Sequence, residues 1–201
     1  MSSTDLSSVE FIVQSLAQTA VDQEQVFGDL DAVVGDGDLG YSLARGFEKV
    51  LADWDTFKRD DVATFLQQIA LTISSRIGGT SGPLWGTAFL QHGDGAAAVA
   101  MLRGATDGIK ARGNADLGDK TLLDALIPAT DELERQLAAG ASPAQCRTAF
   151  AAKTRECADA TSAMEARRGR ASYSGARSIG SPDAGAAAVA IIVERMVADW
   201  P

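Results

Sequence analysis

The sequence predicts an all-α fold, on three observations. Apolar residues recur at three- and four-residue spacing in segment after segment. No alternating apolar run lies between turn signals, as a half-buried strand would require. Alanine is abundant while aromatics make up 6% of the 201 residues, a composition suited to close-packed helices.

The elements follow in order. Leu6, Val9, Val13, Leu16, Ala20, Phe27 and Leu30 share one helical face, predicting a first helix that ends before Gly35. Leu43, Phe47, Val50 and Leu51 predict a second. Val62, Phe65, Leu66, Ile69, Ile73 and Ile77 predict a third, stopped by Gly78-Gly79. Ser81-Gly82-Pro83 opens a fourth, because proline is tolerated in a first turn. Thr121 to Leu137 is a further helix, closed by Gly140. Ser142-Pro143-Ala144-Gln145 has the pattern of a capping box and starts a helix expected to run to about Arg167. A last helix begins near Pro182 and carries Val189, Ile192, Val193, Met196 and Trp200. Glycines cluster at 35–40, 78–86, 113–118 and 169–185. Short connections between antiparallel helices bring alternate loops to one end, so several of these loops are expected to meet at one mouth.

The length suits one domain over residues 1–201. A net charge of −9 argues against nucleic acid or an anionic membrane as partner. It allows a small anion where a metal or local basic residues intervene. Cys146 and Cys157 on one helix lie about 16 Å apart at 1.5 Å per residue, too far for a disulfide. Reduced thiols, no basic leader and no membrane-length apolar run make the expected location cytoplasmic. With His92 as the sole histidine, a histidine metal cluster or a serine triad has little to build on.

The chemistry concentrates in "LDAVVGDGDLGYS", Leu30 to Ser42. Its G-x-G-x-x-G is not a dinucleotide fingerprint, because a helix rather than a strand precedes it. Nor is it a calcium EF-hand: counting from Asp36, the fifth, sixth and twelfth positions are Gly40, Tyr41 and Phe47. Gly113 to Thr121 imitates a P-loop, but Asp119 interrupts the glycine–lysine pair and no strand leads in. Two readings of the aspartates remain. Asp31, Asp36 and Asp38 form a crowded carboxylate set that suits Mg²⁺ or Ca²⁺; or Asp38 caps a helix and Asp36 forms a turn. "GGTSGPLWG", Gly78 to Gly86, places Thr80 and Ser81 before a helix start. That is a phosphate cradle or an ordinary capped turn. Trp54, Trp85 and Trp200 read as packing residues, Lys120 as a surface lysine at a helix start, and Asp119 and Asp124 as cap and core-edge groups. Arg167 and Arg168 read as a solvated basic face.

The runs "LDAVVGDGDLG", "ARGFE", "GGTSGPLWGT", "GDKTLLDAL" and "GRASYSGARSIGSPDAGA" cover nearly the whole chain. In that order they resemble the nucleotide-binding (L) subunits of dihydroxyacetone kinases, the module that also forms the C-terminal domain of single-chain members. The resemblance implies an eight-helix antiparallel up-and-down barrel with the nucleotide at one end. It implies ADP or ATP and two Mg²⁺ held by Asp31, Asp36 and Asp38, with Arg170 assisting the reaction. It implies nucleotide contacts at Leu39, Gly40, Tyr41, Ser42, Gly79, Thr80, Ser81, Gly113, Leu122, Arg170, Asp183, Ala184 and Gly185. The chain departs from the family pattern at Leu39, where a histidine is usual, and at Ala184, where the family turn has proline.

By the same resemblance the sugar is held covalently by a histidine of a separate K-type subunit. Further partners implied are a phosphotransferase-system phosphoryl donor and a second copy of the chain. The expected activity is phosphoryl transfer from Mg-nucleotide to a small keto-sugar, dihydroxyacetone or a four-carbon relative. The rival from another class is an ADP-bound module that docks on a transcription regulator. The fatty-acid kinase branch carries P-D-G-D-T-G in this loop, which the chain lacks.

Overall fold

The structure is a computed structural model, and it describes residues 3–76 and 96–201. These form α1 (Ser3–Asp22), α2 (Glu24–Ala32), α3 (Leu39–Ala52), α4 (Val62–Arg76), α5 (Ala96–Gly113), α6 (Leu123–Ala138), α7 (Pro143–Ala160) and α8 (Ala184–Ala198). Short 3-10 turns lie at Trp54–Thr56 and Thr161–Ala163, and a longer 3-10 segment at Arg170–Ser178. No strand occurs among the described residues, so the all-α class stands as the periodicity predicts.

Three expectations change. The first helix is broken at Gln23, whose φ of −102° and ψ of 16° turn α2 away from α1. The helix from Pro143 stops at Ala160, not near Arg167. The Thr161 hydroxyl is drawn back to Ala158 O at 2.6 Å and also accepts the Asp183 amide at 2.8 Å. These local bonds compete with helix continuation, and Met164 then turns extended. Helix α5 was not foreseen, because its face of alanine, glycine and scattered polar residues gives a weak periodic signal. The Gly78-Gly79 stop and the helix opened at Ser81-Gly82-Pro83 lie outside the described residues.

The capping box at Ser142 is present: its hydroxyl accepts the Gln145 amide at 3.3 Å, and the Gln145 side chain accepts the Ser142 amide at 2.9 Å. Gly140 closes the preceding helix at φ +72°. Both cysteines lie on α7 and are free.

One core cluster joins α1 to α4 through Val13, Phe27, Leu43, Phe47, Phe65 and Ile69. A second joins α6 and α7 through Ala129 and Phe150. Helix α8 serves both, turning Ala188 and Ile192 to the first and Val189 and Val193 to the second. Helix α5 does the same with Met101 and Leu102. Ala125, Ala158, Ala186 and Ala190 let α6, α7 and α8 approach closely. The helices therefore neighbour one another in an up-and-down ring, α4 and α3 beside α1, then α8, α7, α6 and α5.

Candidate functional site

Helix ends gather at one end of this ring: the C-termini of α2 and α5 and the N-termini of α3, α6 and α8. Asp31 lies in the last turn of α2. The chain then reverses through Gly35-Asp36-Gly37, with Gly37 at φ +76°, a conformation that glycine adopts without steric cost. Asp38 follows as the residue before α3.

Suitable oxygens of Asp31, Asp36 and Asp38 all lie within 4.8 Å of one another. Asp38 occupies the N-cap position, yet its side chain makes no capping hydrogen bond. It accepts instead from Arg170 Nη1 at 2.9 Å, and the same guanidinium contacts Asp36. Burial, and then the neighbouring Asp31 charge, raise the pKa of Asp38. At these separations each carboxylate pair repels by roughly 1–4 kcal/mol between aqueous and protein-surface screening. One guanidinium leaves two of the three negative charges unmatched. Carboxylate oxygens in this arrangement fit a hard divalent cation such as Mg²⁺.

Arg170 opens the 3-10 segment that brings residue 170 back over the Asp36–Asp38 loop. The Ser174 hydroxyl reaches Val34 O at 3.4 Å from the same segment. On the far side, Asp183 caps α8 by accepting the Ala186 amide at 2.8 Å. Burial pushes its carboxyl up to about 6, helped by the charges of Asp124 and Asp31 and opposed by the Ala186 amide and Lys120. Asp183 thus belongs to the electrostatic surroundings of Asp31. A Cβ on Gly185 would stand 3.4 Å from Leu122 Cβ, so these two meet where α8 and α6 begin. Ala184 is buried beside them, and Gly113 ends α5 just before Asn114 at φ +45°.

The structure thus brings Asp31, Asp36, Asp38 and Arg170 together directly, and Leu122, Asp183, Ala184 and Gly185 into a second group. Leu39 packs against the first core cluster, so an apolar side chain has a place there. Gly40 is buried where α3 crosses α2, while Tyr41 is exposed and lies under the Arg45 guanidinium. Ser42 is half-buried in the first turn of α3. Gly79, Thr80 and Ser81 lie outside the described residues, as do Trp85 and His92.

One surface reading is corrected. Lys120 is 1% exposed and donates to Met164 O and Ser181 O at 3.2 and 2.7 Å and to Ser178 O. Arg167 and Arg168 are exposed, as a solvated basic face requires, and Arg168 Nε also bonds Asp119 at 2.9 Å. No periodic signal marks the burial of Lys120, since its partners are backbone carbonyls far along the chain. Asp124 is buried in the first turn of α6 and accepts the Gly118 and Thr121 amides at 2.5 and 2.7 Å, which ties the preceding loop to the helix; no side chain caps α6.

Comparison with known proteins accords with this geometry. The DAK2 domain matches residues 33–198, and the chain belongs to that family. The family's relatives that match are kinases. One is the ADP-binding subunit DhaL of the PEP-dependent dihydroxyacetone kinase of Escherichia coli. It is 34% identical over 176 residues, covering 83% of this chain and 84% of its own. The L-erythrulose 1-kinase of Mycolicibacterium smegmatis is 36% identical over 92% of this chain, which spans only 34% of that enzyme. The crystal structure of the C. freundii dihydroxyacetone kinase with AMP-PNP and Mg²⁺ superposes with a TM-score of 0.76 at 27% identity. It covers 94% of this chain and 33% of the larger one.

Proposed function

We propose that this chain is the nucleotide-carrying module of a dihydroxyacetone-type kinase. It binds ADP or ATP with Mg²⁺, two ions by family analogy, and passes a phosphoryl group to a hydroxyl of a small keto-sugar held by a separate K-type subunit. The observation that carries this reading is the convergence of Asp31, Asp36 and Asp38 within 4.8 Å under the Arg170 guanidinium.

Each part has a task that its chemistry suits. Asp31, Asp36 and Asp38 would hold the metal. Bound Mg²⁺ supplies the positive charge that lets phosphate oxygens approach three carboxylates. Arg170, released from Asp36 and Asp38, is free to pair with phosphate in a fork geometry. Leu122 and Gly185 offer an apolar, close-approach wall for a base. Thr80 and Ser81 are proposed phosphate contacts, as are the first-turn positions Leu39 to Ser42. Phosphoryl transfer of this kind depends on positioning and charge stabilisation more than on covalent chemistry.

Tyr173 is 88% exposed and Tyr41 and Val33 each 61%, all beside the mouth. Such a rim suits docking of the sugar-holding subunit, or of a phosphotransferase-system phosphoryl donor, since a relative in Lactococcus lactis is named as PTS-dependent. Two free cysteines and no described helix long and apolar enough to cross a membrane suit a cytoplasmic kinase. A four-carbon keto-sugar is the second reading. It is favoured by matches of 36% and 35% identity to the L-erythrulose 1-kinase and D-erythrulose kinase of M. smegmatis over 92% of the chain.

The test is a thermal melt of nucleotide-free protein, verified by absorbance and mass. MgADP at a hundredfold over Kd adds about 2.7 kcal/mol, a rise of several degrees at this size. The rise is expected to vanish with EDTA and in Asp36→Ala. A verified empty protein that shows no shift overturns the nucleotide reading.

A further inference from the structure

Lys120 is one of the largest fully buried side chains of the described residues and sits at φ +61°. A lysine is seldom fully buried, and a non-glycine residue in the left-handed region is uncommon. Such a conformation persists only where its surroundings over-determine it. Here they do. The ammonium has three donors, and it bonds three backbone carbonyls, of Met164, Ser178 and Ser181.

The placement of those carbonyls is informative. Met164 precedes the Arg170–Ser178 segment, Ser178 ends it, and Ser181 leads into the Asp183 cap of α8. One ammonium therefore ties the Ser178 end of the arginine-bearing segment, and the stretch at Met164 that leads into it, to the loop between α5 and α6. Further bonds run beside it: Arg167 N donates to Asp119 O at 3.0 Å, Arg168 Nε to Asp119 at 2.9 Å, and Ala166 N to Ser178 Oγ at 2.9 Å. Burial lowers the lysine's pKa, while the Asp183 charge opposes that shift.

We propose that Lys120 is a positioning residue that holds the Arg170 segment over the Asp36–Asp38 loop, and so sets the affinity for Mg-nucleotide. This rests on the nucleotide reading above. The hydrogen bonds of Lys120 go to backbone carbonyls and not to the carboxylate cluster. It acts through the segment that it anchors at Ser178 and through Met164 ahead of it.

The test compares wild type, Lys120→Met, Arg170→Ala and the double variant, with two readouts. Hydrogen exchange of the nucleotide-free proteins should show faster exchange across residues 165–181 in Lys120→Met, with α3 and α4 unchanged. Calorimetric binding of MgADP should weaken about tenfold or more in Lys120→Met, and the double variant should bind no worse than Arg170→Ala, the non-additivity of residues acting through one another. If Lys120→Met does not fold, Lys120→Gln keeps two donors and carries both measurements. A wild-type Kd in the lysine variant, or effects that simply add, overturns the proposal, because a lysine serving only stability gives those results. Wild-type protein that binds no MgADP sinks the nucleotide reading itself. Unchanged exchange beside normal MgADP binding sinks the lysine clamp alone.

Discussion

Asp183 shows how one residue can serve two ends. Its carboxylate caps α8, yet burial lifts its pKa from 3.8 to about 6. A raised carboxyl pKa means that the folded state binds the proton more tightly than the unfolded chain does. Stability then falls as pH rises from about 4 to about 6, and the loss is complete above that window. Asp183→Asn keeps an oxygen for the Ala186 amide and removes the titration. In nucleotide-free protein the variant should be the more stable by up to roughly 3 kcal/mol at pH 7.5, with the gap closing toward pH 4. Urea midpoints at the two pH values check this, and a constant gap would refute it. The same scale shows what the sequence could disclose. Asp31, Asp36 and Asp38 are legible because they sit close together along the chain between glycines. Lys120 is not, because a burial imposed by Met164, Ser178 and Ser181 leaves no mark on its own neighbours in sequence.

At the scale of elements, the crossing of α2 and α3 fixes the aspartate loop between them. Gly40 is the contact point: a Cβ there would stand 1.9 Å from Glu24 O and 2.7 Å from Gly28 N. Those atoms are helix backbone and cannot swing aside. Gly40→Ala should therefore pry α3 from α2 at a cost of roughly 3 kcal/mol, at the upper end of overpacking effects. It should lower the denaturation midpoint even without nucleotide. A loss below about 0.5 kcal/mol, typical of a neutral surface change, would show that the crossing is not tight. The sequence-level reading of Gly40 is a ligand contact, whereas the structure also gives it a packing duty. The arrest at Ala160 belongs to this scale too, since it depends on Asp183 reaching Thr161 from a distant segment.

For the molecule as a whole, α5 and α8 are shared between the two apolar clusters. Neither cluster can lose its packing without exposing Ile192 or Val193 on the same helix. We expect one cooperative unfolding transition, with helical circular dichroism and tryptophan fluorescence coinciding in urea. Trp54 reports the first cluster, packing edge-on against Phe65, and Trp200 packs edge-on against Phe11 of α1. Two separated transitions would show that the clusters fold independently. The charge of −9 also acts at this scale: it opposes the approach of any anion, so under the proposed function a bound cation or a basic side chain such as Arg170 would offset it at the mouth.

The sequence by itself determined the helical class, the capping box at Ser142, the glycine turns and the aspartate loop. Each is written in residues near one another along the chain, where spacing and local chemistry decide the outcome. Tertiary structure alone decided that Arg170 faces Asp36 and Asp38, that Leu122 meets Gly185, and that Lys120 is buried rather than solvated. Those outcomes depend on contacts between residues tens of positions apart, which the packing of α6, α7 and α8 brings to one end of the ring.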